Sequence, residues 1–232
     1  AYHNSLCRSI DILSSPVNTH SIPSSYLVAS QAQQDGNVIL YGGEGADEIF
    51  LGYDCYGTSD VDSSIYNSLN NNYSFDKDLY KRVTNSKTEK YIQEFKSNFN
   101  DYLSSYNILD KKEINIKTES FADIFIQLSS VGLLSTDTIN SDLGIECRTP
   151  FVRRELLQFG ISSPVLKLIN YEKKLLYKMP IRNKFIDYFG AESIMPKIGF
   201  AGFPNETKNM LGNSNEWNIW NYLNWGNYIN QE

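Results

Sequence analysis

The stretch that decides the fold is residues 37–48, NVILYGGEGADE. Its first five residues are a short apolar run of the kind that is buried in a parallel sheet. A glycine-rich acidic turn follows, and apolar residues 49–51 continue the chain. Upstream, residues 23–34 predict a helix with Ser24 or Ser25 as its N-cap, ended by Asp35-Gly36. This order of helix, strand, glycine turn and helix is typical of α/β proteins, in which ligands bind beyond the carboxyl ends of strands.

The rest of the chain has a mainly helical pattern. Helical spacing of apolar and aromatic residues predicts helices within residues 75–108, over residues 121–134 and over residues 172–189, with Pro180 as a break or kink in the last. Residues 216–229 predict a terminal helix with tryptophans on one side, and residues 54–72 and 195–204 are predicted loops. The predicted fold class is therefore α/β but mostly helical, with a small remnant of a parallel sheet.

Composition excludes several classes of protein. The 232 residues are 41% hydrophobic and 13% aromatic, which suits one globular domain or two small ones. The net charge of -6 argues against a nucleic-acid partner, and no apolar run approaches the ~20 residues of a membrane span. Three widely spaced cysteines (Cys7, Cys55 and Cys147) form no CxxC pair, so we expect reduced thiols in a cytoplasmic protein. The two histidines, His3 and His20, support neither a metal site nor a triad.

The acidic turn is the first candidate for chemistry. Glycines permit tight turns and close approach of a ligand, and the turn contains three of them: Gly42, Gly43 and Gly45. Glu44, Asp47 and Glu48 place three carboxylates within five residues, which repel one another in a dry site unless they share a cation or a proton. A Mg²⁺–nucleotide complex supplies such a cation. The alternative is a solvated acidic loop.

Two other charged groups have weaker support. Glu146 and Arg148 share one side of the chain if it is extended, and a guanidinium can bind a phosphate or a carboxylate. We favour the structural alternative for them, a buried ion pair that fixes the domain. Lys173 and Lys174 lie at the start of the predicted helix 172–189, where an ammonium can lean toward phosphate oxygens. On residue type alone, a solvated lysine face is the better interpretation.

The chain resembles a known family at four places. Residues 42–53, GGEGADEIFLGY, closely resemble the SGEGADELFGGY element of asparagine synthetases. In the same order as in the family, Pro23 with Tyr26-Leu27 looks like P-x-x-Y-L, residues 146–151 are similar to E-x-R-x-P-F-L-D, and residues 173–176 look like K-x-L-L-R. The tryptophan-rich end also resembles the closing helix of many bacterial members. The resemblance therefore covers Pro23 to the C-terminus.

This resemblance implies a fold, a reaction and a set of site residues. The fold is part of an adenine-nucleotide α-hydrolase-like domain, the PP-loop ATP pyrophosphatase type. The reaction is adenylation of a carboxylate by ATP, followed by attack of an amine that gives an amide and AMP. By position, Glu44 is the general base, Asp47 helps to hold Mg²⁺, and Lys173 contacts the ATP phosphates, with Lys174 in its place if the register shifts by one. The implied cofactor-binding set is Gly42, Gly43, Gly45, Asp47 and Lys173.

Two family features have no counterpart in the sequence. The S-G-G-x-D-S loop that cradles ATP phosphates is absent, as is the N-terminal glutaminase domain of the amidotransferase members. We therefore expect residues 1–232 to be the C-terminal part of the synthetase domain, inactive alone, with a complementary chain or segment that carries the loop.

The remaining departures bear on the substrate. The family's first serine is Gly42 here, the K-x-L-L-R arginine is Tyr177, and the aspartate of P-F-L-D is Arg153, which reverses a charge. The carboxylate substrate is therefore left open between aspartate and a peptide side chain. A peptide side chain as substrate would make the protein a macrocyclase that resembles the related lasso-peptide cyclases. A non-catalytic remnant that binds a partner is the third possibility.

Overall fold

The computed structural model describes residues 2–17, 19, 21–56, 86–105, 110–171 and 176–194. Its strands are β1 (Ile39–Tyr41) and β2 (Glu146–Arg148). Its helices are α1 (Tyr2–Leu13), α2 (Ile22–Gln34), α3 (Ala46–Ile49), α4 (Ser86–Ser104), α5 (Lys111–Ala122), α6 (Leu134–Asp142), α7 (Arg154–Ser162), α8 (Val165–Leu168) and α9 (Met179–Phe189). A π-helical stretch covers Asp123–Leu133, and 3₁₀ turns cover Asp54–Tyr56 and Ala191–Ser193. The described chain forms two compact units, residues 2–42 with 131–148 and residues 43–130 with 149–194.

The predicted fold class is confirmed: the protein is mostly helical and has a small parallel sheet. β1 pairs with β2 in parallel, with Ile39 opposite Glu146 and Tyr41 opposite Arg148. The predicted burial of the first strand is wrong, since Tyr41 is 71% exposed and Ile39 is 38% exposed. Side chains of a strand alternate between its two faces, and only Leu40 packs on the apolar cluster beneath the sheet.

The first unit is held by two apolar clusters. One joins α1, α2 and α6 through Leu6, Ile10, Ile22 and Ile139, and the other joins α2 to the residues that precede β2. Helix α2 confirms the predicted helix, but its N-cap is Ser21, and the predicted caps Ser24 and Ser25 lie inside the helix. Its early proline lies in the first turn, where no backbone N–H is needed, so the helix begins before that proline.

Helix α1 was not predicted from the sequence. Ser5 and Ser9 lie on its buried face, and each hydroxyl donates a hydrogen bond of 2.7 Å to a carbonyl of the same helix. Serine usually indicates caps and turns. Because two serines share the buried side with Leu6 and Ile10, the apolar spacing in the sequence is too sparse to indicate a helix.

The second unit is organised around the segment that follows the acidic turn. Ile49, Phe50 and Leu51 are fully buried in a cluster to which α5, α8 and Tyr56 also contribute. Beside it, Phe99 of α4 stacks on Phe121 of α5 with ring centroids 3.6 Å apart. The helix predicted within residues 75–108 is thus confirmed over α4, while residues 75–85 lie outside the described part.

The helix predicted over residues 121–134 is part of a longer helical run. α5, the π-helical stretch and α6 follow one another without a break from Lys111 to Asp142. The π-helical stretch begins at the buried Asp123. π-Helical turns are rare and occur frequently at functional sites.

The prediction for residues 172–189 needs correction. Leu176 pairs with Asn170 in an antiparallel bridge, with both N–H···O distances 2.9 Å, and helix α9 begins only at Met179. Pro180 therefore lies in the first turn of α9 instead of breaking a longer helix, since proline lacks the N–H that an interior position requires.

Three other predictions fall outside the described residues. These are most of the loop 54–72, the loop 195–204 and the terminal helix 216–229. In the described part of the chain, no helix combines the length and the apolar composition needed to cross a membrane.

Candidate functional site

The acidic turn is shaped by Gly45. This residue has φ +85° and is the N-cap of α3, a backbone conformation that side chains rarely adopt. A Cβ there would also lie 2.9 Å from Val152 Cγ2. The turn closes through an N–H···O bond of 3.2 Å from Ala46 to Gly43 and one of 2.9 Å from Ile49 to Gly45. Glycine is therefore required at position 45 for both space and conformation.

The three carboxylates of the turn have different environments. Glu44 is half-buried, and its Oε2 atom is enclosed by protein. Asp47 Oδ2 lies 2.8 Å from Lys178 Nζ in an ion pair. Glu48 is 6% exposed and accepts a hydrogen bond of 2.6 Å from the hydroxyl of Tyr53. The repulsion expected from the sequence is thus relieved by a lysine at Asp47 and by a phenol at Glu48.

Sequence reasoning did not find Lys178. The chain brings it to Asp47 from the N-cap position of α9, where its φ is +54°. Gly52 lies against both side chains, since a Cβ there would overlap Asp47 Oδ1 and Lys178 Cε. No motif marks Lys178 in the sequence. Lys173 and Lys174, the predicted phosphate lysines, lie outside the described residues, so their roles stay predictions.

Glu48 and Tyr53 form a buried acid–phenol pair. Burial raises the pKa of Glu48 above its ordinary value, while the Tyr53 hydrogen bond and the Lys178 charge oppose that rise. Burial and the Glu48 charge together raise the pKa of Tyr53. The phenol therefore keeps its proton and remains a donor to Glu48.

A second buried acid lies close by, at the start of the π-helical stretch. Asp123 is 6% exposed and accepts a hydrogen bond from the hydroxyl of Tyr56. Burial raises the pKa of Asp123 to about 7, and the Tyr56 hydrogen bond is the main opposing effect. The charges of Glu119 and Glu48 add smaller increases to this pKa. In the sequence, the one sign of this buried acid is an aspartate with an apolar residue on each side.

A hydrogen bond and a contact between two tyrosine rings join the surroundings of Glu48 to those of Asp123. The Ser120 hydroxyl donates a hydrogen bond of 2.8 Å to the Glu48 carbonyl, and the Tyr53 and Tyr56 rings lie 5.8 Å apart. The two phenols that satisfy these carboxylates thus belong to one short segment, which begins directly after the acidic turn.

Glu146 and Arg148 form the predicted ion pair, with Nε and Oε1 2.8 Å apart, but the predicted burial is wrong. Their side chains are 61% and 48% exposed, because alternate strand residues share the open face of the sheet. The Arg148 hydrogen bond lowers the pKa of Glu146. Gly42, at the end of β1, donates its N–H to the Arg148 carbonyl at 2.8 Å.

The structure also describes the side chains of Arg153 and of two of the three cysteines. Arg153, where the family has an aspartate, is 71% exposed and lies 3.7 Å from a Glu155 oxygen. Cys7 and Cys147 are both partly buried.

Asp47 is the candidate metal ligand of the turn. Among the described residues, no group of three histidine, cysteine, aspartate or glutamate side chains converges on one point. Mg²⁺ is commonly held in proteins by one or two carboxylates together with phosphates and waters, so Asp47 with a nucleotide fits that chemistry.

Comparison with known proteins identifies the family. The family model described as Asparagine synthase matches residues 2–211. No significant match was found among curated proteins or among solved structures. Because the family match covers most of the sequence, the chain belongs to the asparagine synthase family, and that membership indicates a ligase of the asparagine synthetase type.

Proposed function

We propose that this chain is the amide-forming part of a ligase that activates a carboxylate with ATP and releases AMP and pyrophosphate. The observation that carries the proposal is the acidic turn, which holds Glu44 and Asp47 on one glycine-shaped loop directly after a parallel strand. This position, beyond the carboxyl end of a strand, is where α/β sheets bind ligands. The family match spans the whole turn.

Glu44 is the proposed general base. Its carboxylate is half-buried, and a general base must lie within hydrogen-bond reach of the proton that it removes. The amine nitrogen attacks the acyl carbon of the adenylate, and its proton passes to a Glu44 oxygen. The bond between the acyl carbon and the phosphate oxygen then breaks, and AMP leaves with that electron pair. Shielding of the adenylate from water favours the amine over hydrolysis.

The proposed cofactor set comes from the family resemblance. Asp47 would hold Mg²⁺, which supplies positive charge to the phosphates of ATP, and Lys173 would contact those phosphates. The glycines of the turn, Gly42, Gly43 and Gly45, would let the nucleotide approach the backbone closely. The segment with the S-G-G-x-D-S loop is the proposed partner that completes the nucleotide site.

The test separates the two half-reactions. With the complementary segment present, Glu44→Gln should abolish amide formation while ATP–pyrophosphate exchange, which reports adenylation alone, continues. Glu94→Gln is the matched control, because its side chain lies on α4 and is 62% exposed. Full amide formation by the Glu44→Gln enzyme would refute the assignment of Glu44.

The substrate decides between two forms of the ligase. An aspartate substrate predicts AMP release with free aspartate and an amine donor, whereas a macrocyclase predicts AMP release only with a peptide that carries an acidic side chain. The exposed Arg153 favours the macrocyclase, since an exposed guanidinium can bind a peptide carboxylate. If neither substrate yields AMP with the complementary segment present, the remaining function is non-catalytic binding of a partner.

A further inference from the structure

Lys178 occupies a position that is unfavourable for both its charge and its backbone conformation. It lies at the N-cap of the eleven-residue helix α9, where the helix dipole disfavours a cation. Its backbone is left-handed, with φ +54° and ψ 40°, which is uncommon for a residue with a long side chain. Such conformations persist only where the surrounding structure holds them. The ion pair of 2.8 Å with Asp47 offsets the unfavourable position of the ammonium at the helix N-terminus.

The pair is also exchangeable. The side chains of Lys178 and Asp47 are 24% and 26% exposed, so water and small ions reach both. Because the pair is partly buried, solvent screens its attraction only in part, so the ammonium charge also acts on any cation that reaches Asp47. Gly52 leaves the space in which the two side chains meet. A divalent cation that reaches Asp47 therefore meets a carboxylate that an ammonium already occupies.

We infer that Lys178 is a built-in competitor of the divalent cation at Asp47, so that the metal binds there by displacing the ammonium. This inference rests on the proposed role of Asp47 as a metal ligand. The ammonium lies 2.8 Å from Asp47 Oδ2, and it would strongly repel a Mg²⁺ on either oxygen of the same carboxylate. Metal alone therefore binds weakly, and an anion that accepts the released ammonium, such as a polyphosphate, strengthens metal binding.

The test measures binding of Mn²⁺ alone to the purified chain by the electron paramagnetic resonance signal of the free ion. Lys178→Gly removes the ammonium and suits the positive φ, so it should bind Mn²⁺ about tenfold more tightly than the natural chain. Lys178→Arg keeps the charge and should bind no more tightly than the natural chain. Lys184→Ala is the matched control, since Lys184 lies on the same helix and pairs with Asp187 at 3.7 Å.

Four results would overturn the competition, and three of them come from comparing variants. They are equal or weaker Mn²⁺ binding by Lys178→Gly, an equal gain in Lys184→Ala, and a gain that persists when Asp47→Asn is added to Lys178→Gly. Absence of Mn²⁺ binding in both the natural chain and Lys178→Gly overturns it as well, because the inference requires a cation site at Asp47.

The natural chain provides a test that needs no variant. Saturating Mg²⁺ should raise the rate at which an amine-reactive reagent labels Lys178, read by mass spectrometry, and leave the rate at Lys184 unchanged. An unchanged Lys178 rate contradicts the inference. Neither measurement depends on catalysis, so failure of the ligase proposal would show separately, as absence of AMP in the reconstituted enzyme.

Discussion

The pH dependence of stability should be dominated at alkaline pH by one buried lysine. Lys117 of α5 is 4% exposed, and its ammonium donates a hydrogen bond of 2.6 Å to the carbonyl of Gly160. Burial lowers its pKa from 10.5 to about 8, and the charge of Glu113 opposes this only in part. The perturbation that tests it is Lys117→Met, which keeps the length of the side chain and removes the charge.

The sign and size of the pH effect of Lys117 on the free energy of unfolding follow from proton linkage. The folded pKa of Lys117 is lower than the unfolded one, so between about pH 8 and 10.5 the unfolded chain binds more protons than the folded chain. The free energy of unfolding therefore rises with pH in that window. The two pKa values differ by about 2.5, which corresponds to about 3 kcal/mol over the full range. From pH 7 to 9.5 the linkage relation gives about 2 kcal/mol.

The assay is urea unfolding of both chains at a series of pH values from 7 to 9.5. Subtracting the Lys117→Met curve from that of the natural chain removes contributions common to both, such as Cys7, whose pKa is raised by burial. The series stops below pH 10, where the unfolded chain begins to lose the Tyr53 proton that the folded chain retains. Parallel curves for the two chains would refute the assignment of a low pKa to Lys117.

Three other stability predictions concern the same unit. Asp123→Asn should raise the free energy of unfolding, and this gain should grow by roughly 2.5 kcal/mol from pH 5 to pH 8, because between about pH 4 and 7 the unfolded chain has lost the Asp123 proton that the folded chain still holds; chemical denaturation at pH 5 and 8 checks it. Gly160→Ala should lower the melting temperature, because its Cβ would lie 2.6 Å from a backbone oxygen, whereas Gly43→Ala, with open space around it, should leave that temperature nearly unchanged. Lys96→Met should cost about 3 kcal/mol in urea unfolding, because it leaves the Glu119 carboxylate, 2.6 Å away, without its buried counter-ion. An unchanged free energy of unfolding in Lys96→Met would contradict this prediction, because it would mean that the Glu119 carboxylate turns out to water.

Short-range patterns predicted the elements around the acidic turn correctly. The helix before β1, the strand itself and the turn at Gly45 depend on residues within a few positions of one another. Apolar spacing, a first-turn proline and the conformational freedom of glycine carry that information directly. The same short range led to the error at residues 172–189, because a helical period cannot show that Leu176 pairs with Asn170 as a bridge.

The partners of the charged side chains could not be predicted in this way. Lys178 meets Asp47, and Tyr56 meets Asp123, across long stretches of chain, so neither pair leaves a local pattern. Burial of an acid depends on the packing of several helices, and an isolated aspartate within an apolar run, such as Asp123, is the only trace that it leaves in the sequence. The family resemblance supplied the acidic turn but not the lysine that faces it.

The three acids of the turn differ in how their charge is balanced, and this difference determines what a substitution at each can reveal. Glu48 is buried and held by Tyr53, so its replacement disturbs a packed hydrogen bond and tests the fold. Asp47 faces an exchangeable ammonium, so its replacement changes the local charge while both side chains remain in reach of water. Loss of activity in a Glu48 variant therefore cannot be attributed to chemistry, whereas a Glu44 variant that keeps adenylation and loses amide formation can be.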